Sequence, residues 1–129
     1  GGTPQEGWLA ACDIVKTGAV QEALHDFKAM PKCDGSGQGW VLLALRMAFH
    51  QLQSGRPFED ALVATVMAGG DTDTNACIVG GLVGAAVGAS GVPEGALKAV
   101  LKAEQAFGRR RPEWLHPRAA PELVLRLVG

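Results

Sequence analysis

The sequence predicts an all-α fold, a compact multi-helix bundle, from three observations. Apolar residues recur at spacings of three and four along most of the chain, which is the pattern of amphipathic helices. Glycine and proline separate these segments, as they do between helices. No segment keeps the two-residue alternation of a half-buried strand. At 129 residues the chain has the length of one ordinary domain, and such a domain buries a core without staples.

Two helices and a loop are predicted before residue 40. The first helix should run from Pro4 to about Lys16 and stop at Gly18. Its apolar face would consist of Trp8, Leu9, Cys12 and Val15. The second should span Val20–Ala29, with Pro31 setting its end. We expect Pro31–Gly39 to be a loop because its glycines have too much backbone freedom for regular structure.

Three helices are predicted in the middle of the chain. Trp40–Gln53 carries the clearest apolar stripe and ends at Ser54-Gly55. Phe58–Ala68 follows Pro57, which sets its entry. The fifth helix should run from about Thr74 to Gly88. Its glycines at four-residue intervals form a strip without side chains that another helix can approach closely, and they are Gly80, Gly84 and Gly88.

The last part of the chain is predicted to form two more helices. The sixth should begin at Pro93 and continue to about Phe107, and a short final helix should span Ala119–Val128. Between them Arg109–Arg111 form a basic patch. We favour solvated cations after a helix end over a phosphate-binding role for this patch.

Composition restricts the classes of function. The 12 basic and 13 acidic residues give a formal net charge of -1, which provides no general attraction to nucleic acid or to an anionic membrane. The three cysteines form no C-x-x-C pair, which favours a reducing, cytoplasmic setting. Gly1–Glu6 shows no signal-peptide pattern, and the uncharged stretch Ala76–Pro93 is expected to be a buried helix rather than a membrane span. The expected partner is therefore a small molecule or another protein.

The strongest chemical signal is the run Gly69-Gly70-Asp71-Thr72-Asp73-Thr74-Asn75-Ala76. Its carboxylates and hydroxyls are hard oxygen donors of the kind that Mg²⁺ prefers. Residues two apart on a regular helix point about 200° from each other, so Asp71 and Asp73 converge only if the backbone turns there. The glycine pair permits that turn. A plain helix cap explains one such residue, but two acids and two threonines exceed that need, so we favour a metal site.

The motifs of this chain resemble those of a known family. The acidic run, the glycine- and alanine-rich helix after it and Val92-Pro93 look like the C-terminal signature of the ADP-ribosylglycohydrolases, which include the dinitrogenase-reductase-activating and ADP-ribosyl-acceptor hydrolases. Upstream, Gly39-Trp40-Val41 looks like that family's Gly-aromatic-Val element at the head of a core helix. The resemblance covers roughly Gly37 to Ala96.

The resemblance implies an all-α fold like the C-terminal half of that family's domain, with a two-magnesium centre that holds the ribose of an ADP-ribosyl group beside the scissile bond. The implied metal ligands are Asp71, Asp73 and Thr74. The implied substrate-binding residues are Gly39, Trp40, Gly70 and Thr72. For Trp40, packing in the core is the competing explanation. The implied activity is Mg²⁺-dependent hydrolysis of ADP-ribosyl glycosidic bonds on a protein side chain or small acceptor.

The chain departs from this family in one respect. Family members are longer and carry a second acidic motif of Thr-Asp-Asp type in their N-terminal part, and none occurs here. The catalytic acid and base are therefore expected in an N-terminal segment or a second chain that completes the site. Residues 1–129 are then either a single helical domain or the C-terminal segment of a larger domain. The alternative function is a non-catalytic helical module that binds ADP-ribose or has a structural role.

Overall fold

A computed structural model describes residues 2–103 and 112–128. Within these ranges the chain is helical and has no strand, which confirms the all-α class. The α-helices are α1 Pro4–Ile14, α2 Gly18–His25, α3 Val41–Ser54, α4 Phe58–Met67, α5 Thr72–Val87, α6 Glu94–Leu101 and α7 Ala120–Val128. Short 3₁₀ turns lie at Ala89–Gly91, Glu113–Leu115 and Pro117–Ala119. No helix in the described ranges combines the length and the hydropathy needed to cross a membrane.

The chain divides into two compact units, Gly1–Val92 and Pro93–Gly129. In the first unit α3 is the central helix and packs against α1, α2 and α5, while α4 packs against α5. The larger core cluster joins α3, α4, α5 and one residue of the loop before α3. Its buried members are Cys33, Leu43, Met47, Ala48, Ala61, Val79 and Val83. Their burial removes apolar surface from water, which is the main stabilising term of the unit.

A second core cluster joins α1 and α2 to the other side of α3. Leu24, Phe49 and Leu52 are buried there, and Trp8 of α1 packs against them. The Trp8 indole N–H donates to the Leu24 carbonyl at 2.8 Å, so the polar edge of the ring is satisfied as it packs. The ring of Phe27 meets Trp8 edge to face, with ring centroids 5.6 Å apart.

The glycine strip of α5 is covered by α4 of the same chain. A Cβ placed on Gly80 would lie 3.4 Å from Leu62 Cδ2, and one placed on Gly84 would lie 3.5 Å from Phe58 Cε2. Two of the three strip glycines thus face side chains of α4, at distances where an added Cβ would make ordinary van der Waals contact. The third, Gly88, ends the helix with φ +70° and has open space around it.

The structure corrects the boundaries of α2. This helix begins at Gly18, which we expected to stop α1, and it ends at His25 rather than at Ala29. The early end has a tertiary cause. Asp26 leaves helical geometry, and Arg46 of α3 binds both its carbonyl, from Nε at 3.0 Å, and its carboxylate, from Nη2 at 2.5 Å. Pro31 is therefore not the residue that ends this helix.

The remaining predicted helices are present, with small shifts at their ends. α1 ends two residues before Lys16, α3 begins at Val41 with Trp40 as its N-cap residue, and α4 ends at Met67 rather than Ala68. The loop Pro31–Gly39 is confirmed as non-helical. Two consecutive turns precede Trp40, closed by the Gln38 N–H to the Gly35 carbonyl at 3.3 Å and by the Trp40 backbone N–H to the Gly37 carbonyl at 2.9 Å. α5 begins at Thr72, two residues earlier than expected.

The second unit contains α6 and α7. α6 begins after Pro93 and is described to Leu101, so the predicted continuation to Phe107 lies partly outside the described residues, as do Arg109–Arg111. α7 confirms the predicted final helix to within one residue. Among the described residues of this unit none is buried.

Candidate functional site

Two consecutive glycines turn the chain between α4 and α5. Gly69 and Gly70 have φ +79° and φ +72°, in the left-handed region that a residue with a Cβ adopts only at a cost. The Gly69 N–H donates to the Val66 carbonyl at 3.1 Å and closes the end of α4. The Thr72 N–H donates to the Gly70 carbonyl at 2.9 Å and tightens the turn. The glycine pair therefore reverses the direction of the chain immediately before the acidic residues.

Gly70 also lies directly against the loop that precedes α3. A Cβ at this position would overlap the carbonyl oxygen of Cys33 and stand 3.0 Å from its carbonyl carbon. Cys33 is buried, its thiol donates to the Pro31 carbonyl at 3.3 Å, and burial raises the pKa of that thiol. The loop leading to Trp40 and the turn leading to Asp71 are thus packed backbone to backbone.

The turn brings the carboxylates of Asp71 and Asp73 together. Asp71 is the N-cap residue of α5 with φ −78° and ψ 72°, outside helical geometry, while Asp73 lies in the first turn. The Asp71 side chain makes no capping hydrogen bond to the helix backbone. It lies within hydrogen-bonding reach of the Asp73 carboxylate instead. Capping does not account for the Asp71 side chain.

This proximity also governs the ionisation of Asp73. The hydrogen bond to Asp71 lowers the pKa of Asp73 below its ordinary value, and the backbone N–H groups of Thr74 and of Asp73 itself lower it further. A hydrogen bond between two carboxyl groups requires a proton on one of them, since two neighbouring carboxylates repel. A cation placed between them would offset the same repulsion without that proton.

The donor set fits a hard cation only in part. Asp73 and Thr74 are exposed and Asp71 is half-buried, so their oxygens are accessible. Carboxylate and hydroxyl oxygens suit Mg²⁺. Across residues 2–103 and 112–128 no group of three or more His, Cys, Asp or Glu side chains is placed to hold a metal. The chain therefore offers two carboxylates and one hydroxyl, fewer than the six oxygens of a Mg²⁺ site.

One buried polar side chain lies in the same turn. Asn75 is 3% exposed and occupies the core stripe of α5, one turn before the buried Val79. Its backbone N–H donates to the Asp71 carbonyl at 3.0 Å, the first bond of the helix. Its side-chain Nδ2 is buried without a hydrogen-bond partner among the described residues. An unpaired buried amide costs about 1–3 kcal/mol, and a valine at this position would avoid that cost.

Trp40 lies at a different surface feature from the acidic pair. Trp40 directly precedes α3 and is 58% exposed. Its backbone N–H donates to the Gly37 carbonyl at 2.9 Å and closes a turn. It lines a cleft of about 90 Å³ between α2 and α3, whose other charged members are Glu22, Asp26 and Arg46. No residue of the acidic run lines this cleft. Core packing, the alternative explanation for Trp40, does not fit its exposure.

The structure thus unites some of the predicted site residues and leaves others apart. It joins Asp71 to Asp73 and holds Gly70 against Cys33. Gly39 lies in the exposed turn before Trp40, and Thr72 is the first residue of α5. The predictions overlooked Cys33 and Asn75. The four-residue spacing of Asn75, Val79 and Val83 is a sequence signal that places Asn75 on the buried face, whereas the part played by Cys33 is a long-range contact without a local signal.

Comparison with known proteins relates the chain to one family. A family model described as ADP-ribosylglycohydrolase matches residues 3–127. A protein of Acanthamoeba polyphaga mimivirus, whose name is that of an ADP-ribosyl glycohydrolase, is 40% identical over 52 residues. That match covers 40% of this chain and only 16% of the viral protein. No solved structure matches the chain.

Proposed function

The chain belongs to the ADP-ribosylglycohydrolase family, and from this premise we propose that it provides one side of a Mg²⁺ site in a hydrolase that cleaves ADP-ribosyl glycosidic bonds. The substrate is an ADP-ribosylated protein side chain or small acceptor. Asp71, Asp73 and Thr74 are the proposed metal ligands. The remaining ligands and the catalytic acid and base belong to an N-terminal segment or a second chain.

The observation that carries this proposal is that the side chains of Asp71 and Asp73 lie within hydrogen-bonding reach of each other after the left-handed turn at Gly69 and Gly70. Two carboxylates held together at the surface without a basic partner are costly unless a cation or proton lies between them. Neither carboxylate takes part in a salt bridge among the described residues. The backbone packing of Gly70 against Cys33 holds the pair in place before any ligand arrives.

The remaining proposed contacts concern the substrate. The exposed ring of Trp40 presents a flat apolar surface to the base or the ribose. Gly39 carries no side chain and allows a ligand to approach the backbone closely. Gly70 would contact the substrate through its exposed backbone, and Thr72 contributes a hydroxyl at the start of α5. When bound, Mg²⁺ supplies a template for the ribose hydroxyls and Lewis-acid polarisation. The residues of this chain bind the substrate and orient it.

A second candidate function is a module that binds ADP-ribose without turnover. The observation in its favour is the incomplete donor set, with no third acidic or His or Cys ligand near Asp71 and Asp73 in the described ranges. Such a module would bind ADP-ribose as an isolated chain. A divided enzyme would bind it tightly only with the completing segment present.

Substitution of the two acids tests the proposed function. We expect Asp71→Ala and Asp73→Ala each to lower the rate of Mg²⁺-dependent ADP-ribose release at least about 100-fold, because each removes a ligand. The assay follows labelled ADP-ribose leaving a modified protein, with the chain joined to the completing segment. Calorimetric titration of the chain alone with ADP-ribose, with and without Mg²⁺, separates the enzyme from the binding module.

The matched control is Asp13→Ala, which removes an exposed acid from α1. It should leave release unchanged, because Asp13 lies on a helix that contributes nothing to the proposed site. Full activity in both Asp71→Ala and Asp73→Ala would contradict the proposed metal ligands.

A further inference from the structure

Asn75 is the polar residue of the acidic run that the proposed function leaves without a role. It is 3% exposed, whereas Asp73 and Thr74 beside it are exposed. It continues the buried stripe of Val79 and Val83, where an apolar residue would pack without cost. Asparagine is also a weak helix former in a helix interior. The position therefore holds a residue that is unfavourable for the fold on two counts.

The unpaired atom of Asn75 is a hydrogen-bond donor, which restricts its partner to an acceptor. Nδ2 is buried and has no partner in the described residues. Asp71 is the N-cap residue four positions earlier, and its carbonyl accepts the Asn75 backbone N–H at 3.0 Å. Side chains of an α-helix lean toward its N-terminus, so the Asn75 amide leans toward the turn that carries Asp71. The Asp71 carboxylate in turn makes no capping bond.

We propose that Asn75 is a positioning residue for the acidic pair, its Nδ2 donating to a carboxylate oxygen of Asp71 when that carboxylate binds a divalent cation. The inference rests on the proposed function, because it takes Asp71 as a metal ligand. Ligating carboxylates are commonly held by a hydrogen bond to their second oxygen, and loss of such a partner lowers metal affinity about 10- to 100-fold. The metal-free fold carries the unpaired amide, and the metal-bound state satisfies it.

A buried water is the competing explanation for Asn75. Gln51 of α3 is 1% exposed, and its Oε1 is a buried acceptor without a partner in the described residues. Its Nε2 contacts the sulfur of Met30 at 3.5 Å. One ordered water bridging Asn75 Nδ2 and Gln51 Oε1 would satisfy both amides and would have nothing to do with metal. The two explanations predict opposite results for the same substitution.

The decisive variant is Asn75→Leu, which keeps the branching at Cγ, is larger than asparagine and removes the donor. If Asn75 positions Asp71, the Tm of the metal-free chain should rise or stay unchanged, because an unpaired amide is replaced by an apolar group. Mg²⁺ affinity should fall at least about tenfold. Both are measured on the full chain, by thermal unfolding followed by circular dichroism with and without Mg²⁺ and by calorimetric titration with Mg²⁺ alone.

Thr65→Val is the matched control. Thr65 is fully buried in α4, and its hydroxyl is satisfied by the Ala61 carbonyl at 2.7 Å. This change also replaces a buried polar side chain with an apolar one, so it should shift the Tm without changing Mg²⁺ affinity. If Asn75→Leu disturbs folding, Asn75→Ala gives the same comparison, because the readout is the difference between metal-free and metal-bound stability within each variant.

The outcomes separate this inference from the proposed function. Weakened Mg²⁺ binding by Asn75→Leu, with an undiminished metal-free Tm, supports the positioning role. Unchanged Mg²⁺ binding by Asn75→Leu, when the unsubstituted chain binds the ion, overturns it and leaves the proposed function standing. A lowered metal-free Tm in both Asn75→Leu and Gln51→Leu, with non-additive effects in the double variant, also overturns it in favour of the shared water. If the unsubstituted chain shows no Mg²⁺ binding on its own, this inference is overturned as stated, whereas the proposed function, which assigns the remaining ligands to a completing segment, is decided by the release assay on Asp71→Ala and Asp73→Ala.

Discussion

At Gly70 the acidic run packs against the loop that precedes α3. The left-handed backbone of Gly70 turns the chain toward α5, and its missing side chain lets the Cys33 carbonyl approach. Gly69 shares the first property and lacks the second, because nothing lies within 4 Å of a Cβ placed there. Comparing substitutions at Gly69 and Gly70 therefore separates the cost of a left-handed backbone from the cost of overlap with Cys33.

We expect Gly70→Ala to lower the free energy of unfolding by about 3 kcal/mol or more, because left-handed strain and overlap with Cys33 add. Gly69→Ala should lower it by only about 1–2 kcal/mol, the cost of the left-handed backbone alone. Denaturant unfolding of both variants measures the difference. Equal losses would show that the contact with Cys33 has no energetic weight.

At the scale of elements, the contact between α4 and α5 includes one aromatic ring packed over two glycines. Phe58 is half-buried at the start of α4 and reaches both Gly80 and Gly84 of α5. Because α5 supplies Asp71 and Asp73, this packing also fixes the direction from which the acidic pair is presented.

We expect Phe58→Ala to destabilise the chain by about 2–3 kcal/mol, less than the 3–5 kcal/mol of a fully buried ring. Gly81→Ala provides the comparison on the same helix. Gly81 is exposed, and a Cβ there meets nothing within 4 Å. That change should therefore stabilise the chain by about 1 kcal/mol through helix propensity. Destabilisation by Gly81→Ala would mean that the exposed face of α5 is covered in solution.

The start of α1 gives a prediction for pH. Thr3 and Glu6 form a reciprocal cap, in which the Thr3 N–H donates to Glu6 Oε2 at 2.6 Å and the Glu6 N–H donates to Thr3 Oγ1 at 3.2 Å. Two hydrogen bonds from Thr3 lower the pKa of Glu6 below its ordinary 4.5. The bond from the Thr3 backbone N–H has the larger effect, and the bond from the Thr3 hydroxyl has the smaller one. Because the pKa of Glu6 is lower in the folded state than in the unfolded state, the cap contributes its full stability at pH values above the unfolded-state pKa. That contribution is lost as the pH falls through the folded-state pKa.

We therefore expect the protection of the first turn of α1 against amide exchange, taken relative to the intrinsic exchange rate at each pH, to fall on acidification, at a pH below that at which an unperturbed glutamate titrates. Carbon NMR of the Glu6 carboxyl group should give the same midpoint. Thr3→Val removes the hydroxyl that bonds to Glu6, so the midpoint should move up toward 4.5. An identical midpoint with and without the Thr3 hydroxyl would contradict the contribution of that bond.

The sequence predicts the presence of the helices better than it predicts their ends, because helix formation depends on local residue spacing and a helix end can depend on a contact with a distant residue. Three- and four-residue spacing is local, so α1, α3, α4 and α7 lie close to their predicted bounds. The end of α2 depends on Arg46, which lies 20 residues from Asp26 in sequence. The turn that the glycine pair was expected to permit is present, with left-handed backbone at Gly69 and Gly70.

The same distinction applies to the candidate site. The convergence of Asp71 and Asp73 follows from a local turn and was predictable from the glycines beside them. The support that Cys33 gives to Gly70 joins segments far apart in the chain, and no residue pattern near either one signals it. The glycine strip signalled a close helix contact, but only the packed structure identifies α4 as the neighbour.

At the scale of the whole molecule, the buried residues and the acidic run belong to the same unit. Every buried core residue of the described ranges lies before Val92, and so do Asp71, Asp73, Thr74 and Asn75. The second unit has no buried side chain in its described residues. The first unit therefore holds both the hydrophobic driving force for folding and the proposed ligands.

We expect a chain that ends at Val92 to unfold cooperatively on heating and to keep the same Mg²⁺-dependent shift in Tm as the full chain, because both core clusters and the acidic run remain. Circular dichroism with and without Mg²⁺ measures both properties. A chain that begins at Pro31 is the opposite control. It keeps the acidic run but loses α1 and α2, and with them Trp8 and Leu24 of the second cluster, so it should melt without cooperativity. Broad, non-cooperative melting of the chain that ends at Val92 would contradict the prediction and would mean that residues 93–129 are required for the core to form.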